Sequence, residues 1–194
     1  MLDVLDKTLE LFLKAELPPG VPSLDTEVFI SFDRPYQGAI KKKPAINFFL
    51  YDVQENLEFG SSDWLLEHQS NGKVVTKRTP PRVDCSYLIT AWPQRDDDIR
   101  TEHQLLGEVM KVLLRYRTIP KHFLADKLVE EKMPLRLICL RPSKLQGFGE
   151  FRQAISGKDG NLPKVVLHCT VTIAVVIDEI GVQETLADFI HRPS

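Results

Sequence analysis

Two adjacent side chains near the middle of the chain, Glu102 and His103, are of the types that acid–base catalysis uses. A carboxylate that orients an imidazole is a common arrangement for a general base. Both residues fall in a segment whose apolar residues recur at helical spacing, and neighbours on a helix point about 100° apart. The two side chains are therefore not expected to face each other, and the sequence favours a structural role for His103, partly buried with a hydrogen-bond partner.

Other patterns typical of catalysis or metal binding are missing from the sequence. It contains no GxSxG elbow, no GxxxxGK[ST] phosphate loop, no GxGxxG after a strand and no HExxH. The five histidines show no spacing typical of metal ligands: His68, His103, His122, His168 and His191. We expect no catalytic residue, no metal and no cofactor, and we interpret His168 as structural. A small hydrolase, with His103 or His168 beside a carboxylate and a nucleophile, stays open as an unfavoured alternative.

Two short charged clusters are candidates for contact with another molecule. The basic loop consists of Lys41, Lys42 and Lys43 and is closed by Pro44. It could contact phosphate or lipid, although such loops are usually solvated tips. The acidic cluster consists of Asp96, Asp97 and Asp98. It could bind a cation, but acidic residues are also favoured at the positive end of a helix dipole, and a predicted helix follows. Because the two clusters have opposite charge, we predict that the basic loop of one subunit contacts the acidic cluster of the next.

A third candidate contact lies in residues 59–79. Asn71-Gly72 followed by Val74-Val75 is typical of a hairpin tip, so this segment is predicted to be a projecting β-hairpin arm. Trp64 stands in this otherwise polar segment, and tryptophan is enriched among residues that dominate binding energy. Trp64 is therefore a candidate interface anchor; the alternative is that it packs the arm against its own domain.

The element that must position these residues is a predicted strand over residues 80–93, bounded by proline at both ends. One of its faces is apolar throughout: Val83, Cys85, Tyr87, Ile89 and Ala91. The other face starts polar and ends apolar at Trp92. We therefore expect a strand that starts in solvent and becomes buried on both sides.

Periodicity places the remaining elements around this strand. Helices are predicted over 2–16 and from about 99 to 117, with weaker helical stretches at 123–131 and 148–157; strands are predicted over 28–32, 45–58, 134–140 and 164–178. The second helix is expected to bury one face: Ile99, His103, Leu106, Val109 or Met110, and Leu113. In the strand at 45–58, Phe49, Tyr51 and Val53 are expected to lie opposite Ile46, Phe48 and Leu50. The order predicts an α+β domain over residues 1–178, with helices on a mixed, largely antiparallel sheet, and a carboxy-terminal tail over 179–194 that docks or orders on a partner.

Composition is consistent with a single domain of ordinary charge. The chain has 194 residues, 43% of them hydrophobic, and a net charge of −2. Nucleic-acid binding is not expected, because it would require the basic loop to join Arg34, Lys73, Lys77 and Arg78 in one face. The three cysteines, Cys85, Cys139 and Cys169, lie in apolar runs without CxxC spacing and are expected to be reduced core residues of a cytoplasmic protein. Charges in the first residues argue against a signal peptide, and the longest uncharged apolar run, 165–177, is too short for a membrane span of about 20 residues.

Three segments in a fixed order carry a resemblance to a known family. They are MLDVLDKTLELFLKAELP at the amino terminus, NFFLYDVQENLEF after the basic loop, and PPRVDCSYLITAW followed at short distance by EHQLLGEVMKVLLR. Together they resemble the amino-terminal domain of the cap, or tail-terminator, proteins of phage-tail-like contractile injection systems. The resemblance extends from residue 1 to about residue 177, and it supplies no residue-level motif for tube contact.

The resemblance implies a function as well as a fold. It implies a tail-terminator-like α+β domain that forms a six-fold ring, closes the baseplate-distal end of the inner tube and sheath, and performs no catalysis. The implied partners are other copies of the chain, the inner tube protein and the sheath protein. The protein would be made in the cytoplasm and then become part of the injection particle. The alternative within the same class is a completion or neck protein of a contractile phage tail.

Overall fold

Two α-helices and seven strands make up the part of the chain that the computed structural model describes, which is residues 1–18, 27–35, 38–58, 64–68, 74–126, 128, 134–140 and 164–175. In chain order the elements are α1 (Leu2–Glu16), β1 (Phe29–Ser31), β2 (Ala45–Glu55), β3 (Trp64–His68), β4 (Val74–Arg78), β5 (Arg82–Trp92), α2 (Ile99–Arg115), a 3-10 helix (Lys121–Phe123), β6 (Arg136–Cys139) and β7 (Leu167–Ala174). The predicted helix at 148–157, the predicted tail at 179–194 and the Asn71-Gly72 tip lie outside the described residues.

Five of the strands form one sheet in the order β1-β2-β5-β7-β6, with β5 at its centre. β1 runs parallel to β2, and the other neighbours are antiparallel. This arrangement confirms the predicted α+β class with a mixed, largely antiparallel sheet. β5 begins directly after Pro81 and ends directly before Pro93, as the prolines indicated.

The polar half of β5 is buried, which differs from the expectation that the strand starts in solvent. Asp84 and every later residue of β5 are buried. The carboxylate of Asp84 accepts hydrogen bonds from Asn56 Nδ2 at 2.9 Å and Thr172 Oγ1 at 2.7 Å. Ser86 Oγ lies 3.1 Å from Thr170 Oγ1 in a further hydrogen bond. Burial costs these polar groups little because partners on the neighbouring chain segments replace water.

β2 contains an irregularity that the sequence did not indicate. Its ladder with β5 pairs Leu50 with Tyr87 and then Asp52 with Ser86, so Tyr51 is passed over. One additional residue reverses the alternation of faces. Val53 therefore lies opposite Cys85, whereas Phe49 lies opposite Leu88, on the other face of β5. The prediction that Val53 and Phe49 share a face was wrong.

Both helices pack on one face of the sheet and form a single hydrophobic core with it. α1 has the predicted bounds and buries Leu5, Leu9, Phe12 and Leu13, whereas Leu2 is 40% exposed. α2 buries a face different from the predicted one: Thr101, Glu102, Leu105, Leu106, Val109, Val112 and Leu113. The buried face differs from the predicted one because of two contacts. Asp98 caps the start of the helix by accepting a hydrogen bond from Thr101 N, and Glu102 points inward, where it accepts one from Lys164.

Several smaller elements are shorter than predicted. Helix α2 ends at Arg115, β1 and β6 have three and four residues, and β7 ends at Ala174 in place of the predicted residue 178. Within the described part of 123–131, the chain shows 3-10 conformation at Phe123, Asp126 and Leu128 and no α-helix. The free edge of β6 is covered by residues 117–119, since Leu137 N donates to Arg117 O and Ile119 N donates to Leu135 O. That covering is one way in which folded chains protect an edge strand.

Strands β3 and β4 form a separate two-stranded sheet. They are antiparallel, with Trp64 opposite Arg78 and His68 opposite Val74. The antiparallel strand pair that was predicted within residues 59–79 is therefore confirmed.

A hydrogen bond between α1 and β5 gives a pH-dependent prediction. Tyr87 Oη donates to Asp6 Oδ1 at 2.8 Å, and burial raises the pKa of Asp6 by more than this bond lowers it. A carboxyl whose pKa is higher in the folded state does not lower the free energy of unfolding at pH values below its unfolded pKa. It lowers that free energy as the pH rises through the unfolded and then the folded pKa. We expect Asp6→Asn to raise the free energy of unfolding at pH 7 by about 1 kcal/mol or less, since the group is half-exposed, and to give a smaller gain at pH 4.

Urea unfolding at both pH values measures this effect. Asp3→Asn is the matched control, because the amino terminus holds the pKa of Asp3 below its usual value and the sign should be opposite. A gain from Asp6→Asn that is larger at pH 4 than at pH 7 would contradict the assignment.

Candidate assembly surface

The basic loop and the acidic cluster lie at the same end of the sheet. Ala45, the first residue of β2, pairs with Trp92, the last residue of β5. The loop that precedes β2 therefore meets the turn that follows β5. Lys43 forms an ion pair with Asp96 inside one chain. One lysine and one aspartate of the two clusters are therefore paired within the chain, and the predicted contact between subunits stays a prediction.

Each of the three acidic residues has a role within its own chain. Asp96 pairs with Lys43, and Asp97 accepts two hydrogen bonds from the guanidinium of Arg95, at 3.2 and 2.8 Å. The bond from Arg95 lowers the pKa of Asp97. Asp98 caps α2, because its carboxylate accepts from Thr101 N at 3.0 Å and Thr101 Oγ1 at 2.7 Å, and these bonds lower its pKa. The role of these acids at the start of the helix, expected from the sequence, is confirmed for Asp98.

The three lysines differ in how much of each side chain reaches solvent. Lys41 and Lys42 are exposed, and Lys42 Nζ lies 5.4 Å from the centre of the Phe29 ring. The Lys43 side chain is 20% exposed, and its Nζ lies 5.7 Å from the centre of the indole of Trp92. Lys41 and Lys42 are consequently the members of the basic loop that present charge to solvent.

Trp92 is the centre of this end of the sheet. It is 5% exposed and packs with Ile40, Ala45 and Phe29 in a small hydrophobic cluster that is separate from the main core. Its Nε1 donates to Thr90 Oγ1 at 3.0 Å, so the polar atom of the indole is satisfied. Local sequence spacing identified Trp92 only as a strand end, because its contacts with Lys43 and Lys164 join segments that are distant in sequence.

A buried ion pair joins this end of the sheet to α2. Lys164 Nζ lies 2.8 Å from Glu102 Oε2, 3.2 Å from Ala91 O and 4.6 Å from the centre of the Trp92 ring. Glu102 Oε1 also accepts from Val165 N at 3.3 Å. The side chains of Lys164 and Glu102 are 18% and 9% exposed. This contact connects the segment before β7 with the end of β5 and the first turn of α2.

The histidines considered for catalysis have other surroundings. Glu102 is buried and accepts a hydrogen bond from Lys164, whereas His103, about 100° further round α2, is exposed. The two do not face each other, as predicted, but the expected partial burial of His103 was wrong. His168 lies on β7, with its ring 5.8 Å from that of Tyr51 in an edge-on contact.

The outer side of α2 exposes an apolar stripe that sequence analysis assigned in part to the core. Ile99 is 53% exposed, Met110 37% and Leu114 56%. At 100° per residue these positions, with His103 and Gly107, fall within an arc of about 80°. We call this surface the α2 stripe. Grouped exposed apolar residues are more typical of a contact surface than scattered ones are.

Trp64 opens strand β3, where its backbone pairs with Arg78. It stands at the end of the β3–β4 ladder opposite to the His68–Val74 pair. The role of its side chain as an anchor stays a prediction.

Neither described helix has the length and apolar composition needed to cross a membrane. In the part of the chain that the structure covers, no three His, Cys, Asp or Glu side chains are grouped so that they could hold a metal ion.

Comparison with solved structures shows the fold of this chain in two particles. One is a cryo-EM structure of an extracellular contractile injection system, the PVC sheath/tube terminator in its extended state; it is 22% identical with a TM-score of 0.64, and the match covers 92% of this chain and 57% of the other. The second is the cryo-EM structure of the anti-feeding prophage cap, a tube-terminating cap, at 23% identity and a TM-score of 0.63 over 95% of this chain and 58% of the other. The chain thus spans less than three fifths of the length of either structure.

Sequence comparison adds a family assignment. No curated protein matches the chain significantly. The profile of one family, the Pvc16 N-terminal domain, matches residues 4–180, which is most of the chain and includes every described strand. The chain therefore belongs to the Pvc16 N-terminal domain family.

Proposed function

We propose that this chain is a structural cap that terminates the inner tube and sheath of a contractile injection system at the end distal to the baseplate. The match of more than nine tenths of the chain to a sheath/tube terminator and to a tube-terminating cap carries the proposal. Membership of the Pvc16 N-terminal domain family supports it. The cap acts by binding without catalysis, on a particle that is assembled in the cytoplasm.

The cap acts as a ring of six copies in this proposal. A closed ring of one kind of chain needs two different surfaces on each subunit that meet head to tail. Three surfaces are candidates for such contacts: the basic loop with the neighbouring acidic cluster, which we call the charged corner, the hairpin arm and the α2 stripe.

At the charged corner, the exposed heads of Lys41 and Lys42 are available for a neighbour, while Lys43 and Asp96 are paired internally. Asp97 is the acidic residue on the other side of the proposed contact, with a side chain that is 71% exposed. Although Asp97 is paired with Arg95, its high exposure leaves it accessible, so the proposed contact between subunits involves Lys41, Lys42 and Asp97. On the arm, Trp64 supplies an anchor against the neighbouring subunit.

The α2 stripe supplies an apolar contact with the next copy. Ile99, Met110 and Leu114 together expose apolar side chains along the length of α2, with the small Gly107 between them. Leu114 is the most exposed of the three and is therefore the position at which to test the stripe. Burial of such side chains at about 25 cal/mol per Å² favours association.

The test of the function is termination of tube growth. The purified chain is added, at a small fraction of the tube protein concentration, to tube protein that is polymerising in vitro, and the tubes are imaged by negative stain. We expect shorter tubes with density at one end, because one ring blocks each growing end. An unrelated protein of equal size is the control. An unchanged length distribution, with no chain at tube ends, would overturn the cap proposal.

The contact surfaces are tested separately. The oligomeric mass of each variant is measured in solution, and its ring formation on tube ends is imaged. We expect Leu114→Glu and the double variant Lys41→Glu/Lys42→Glu to remain folded but to weaken ring formation by about tenfold or more. Leu114→Glu places a charge in an apolar contact, and the double variant places negative charges against Asp97 of the neighbouring subunit. Lys111→Ala is the matched control on α2, since Lys111 is exposed outside the α2 stripe and pairs with Glu108 of the same helix. Rings that form normally in both variants would rule out these two surfaces.

A further inference from the structure

Two of the three cysteines stand directly opposite each other on neighbouring strands. Cys139, the last residue of β6, is in register with Cys169 of β7 in an antiparallel ladder. The next residue of β6, Leu140, donates its N–H to His168 O at 3.0 Å. In antiparallel ladders hydrogen-bonded and non-hydrogen-bonded pairs alternate, so Cys139 and Cys169 form a non-hydrogen-bonded pair.

This kind of pair has the spacing that a disulfide needs. Opposed residues at non-hydrogen-bonded positions have Cα atoms about 4.5 Å apart, which lies within the disulfide range of roughly 4.4–6.8 Å. Because the two residues are directly opposed in register, their side chains lie on the same face of the sheet as nearest cross-strand neighbours. Cys85 is opposite Val171 and thus diagonal to Cys169, where the separation is about 7–8 Å and too long for a disulfide.

We propose that Cys139 and Cys169 are an oxidation site, at which a small-molecule disulfide such as oxidised glutathione converts the two thiols into a cross-strand disulfide. In the first step the thiolate of Cys139 attacks one sulfur of the reagent, which forms a mixed disulfide and releases one small thiol. In the second step the thiolate of Cys169 attacks Sγ of Cys139, forms the Cys139–Cys169 bond and releases the second small thiol. The two cysteines lose two electrons and two protons, and the two released thiols carry them.

The order of the steps follows from burial. Cys139 is half-buried at the end of a four-residue strand at one edge of the sheet, whereas Cys169 is buried in the core. The reagent therefore reaches Cys139 first. The neighbouring Cys139 side chain and burial raise the pKa of Cys169, so its thiolate is scarce and the second step is slow at neutral pH.

The disulfide would fix the edge strand β6 to β7 and close the chain over residues 139–169. A bond that closes a loop of this length restricts the unfolded chain and raises the melting temperature. The inference needs only the fold, so it stands independently of the cap function.

The experiment incubates the complete chain, folded, with a series of ratios of oxidised to reduced glutathione, followed by acid quenching. We expect the intact mass to fall by about 2 Da, the count of free thiols to fall from three to one, and peptide mapping to join Cys139 to Cys169. The melting temperature should rise and return to its starting value when reductant is added.

Matched variants locate the bond. Cys85→Ser should still lose two thiols, whereas Cys139→Ser should lose none; Cys139→Ala replaces it if circular dichroism shows that the serine variant is unfolded. Three results would each overturn the proposal: three thiols that persist under oxidised glutathione, a stable glutathione adduct on Cys139 that never resolves, or a disulfide that includes Cys85.

Discussion

Replacing Lys164 by methionine is expected to lower the free energy of unfolding by about 2–3 kcal/mol. The substitution removes the ammonium that lies 2.8 Å from Glu102 Oε2 and leaves that carboxylate with only 9% of its side chain exposed. Removing one partner of a buried ion pair costs about 3–5 kcal/mol, and the 18% exposure of Lys164 reduces the expected cost. The lysine also loses its bond to Ala91 O and its place over Trp92, so the segment before β7 is released from β5 as well.

Lys43→Met is the matched control for this prediction. Lys43 also lies against Trp92, but its carboxylate partner, Asp96, is 52% exposed. Water can replace that partnership, so the expected cost is below about 1 kcal/mol. Urea unfolding of both variants at pH 7 makes the comparison, and Glu102→Gln should resemble Lys164→Met. Equal losses for Lys43→Met and Lys164→Met would show that the buried ion pair contributes nothing specific.

The parts of the fold that were predictable are those set by local sequence. Proline removes a ladder donor, and it placed both ends of β5 correctly. Apolar spacing placed α1 at residues 2–16, because its apolar positions share one face without competition from a second. The hairpin arm followed from the turn preference of Asn71-Gly72 between strand-forming residues.

The errors arose where contacts distant in sequence decide the structure. In α2 two overlapping apolar faces share Leu106, Val109 and Leu113, and periodicity alone did not choose between them. The bond from Lys164 to Glu102, 62 residues apart, turns the Glu102 side inward and leaves Ile99 exposed. In β2 a single inserted residue, Tyr51, reversed the face of Val53 because the register with β5 shifts there.

The candidate site shows the same division. Opposite charge on the basic loop and the acidic cluster led to the prediction of a contact between subunits, which stays a prediction. Opposite charge could not indicate whether the contact lies within one chain or between two. That depends on the pairing of Ala45 with Trp92, which brings Lys43 to Asp96 inside one chain. Charge on two loops identifies partners only once the strand register that positions both loops is known.

Replacing Phe12 by alanine is expected to cost about 3–5 kcal/mol of the free energy of unfolding. The Phe12 side chain is fully buried on α1, and its ring contacts Tyr116 and Phe123 edge-on at centroid distances of 5.2 and 5.5 Å. It therefore joins α1 to the end of α2 and to the 3-10 helix, and alanine would leave a cavity at their junction. Leu11→Ala is the control, because the adjacent Leu11 is 46% exposed and its loss should cost less than about 1 kcal/mol. Thermal unfolding should place the Phe12→Ala midpoint roughly 10 °C below that of the control. Similar midpoints would mean that this junction does not hold the two helices and the sheet together as one core.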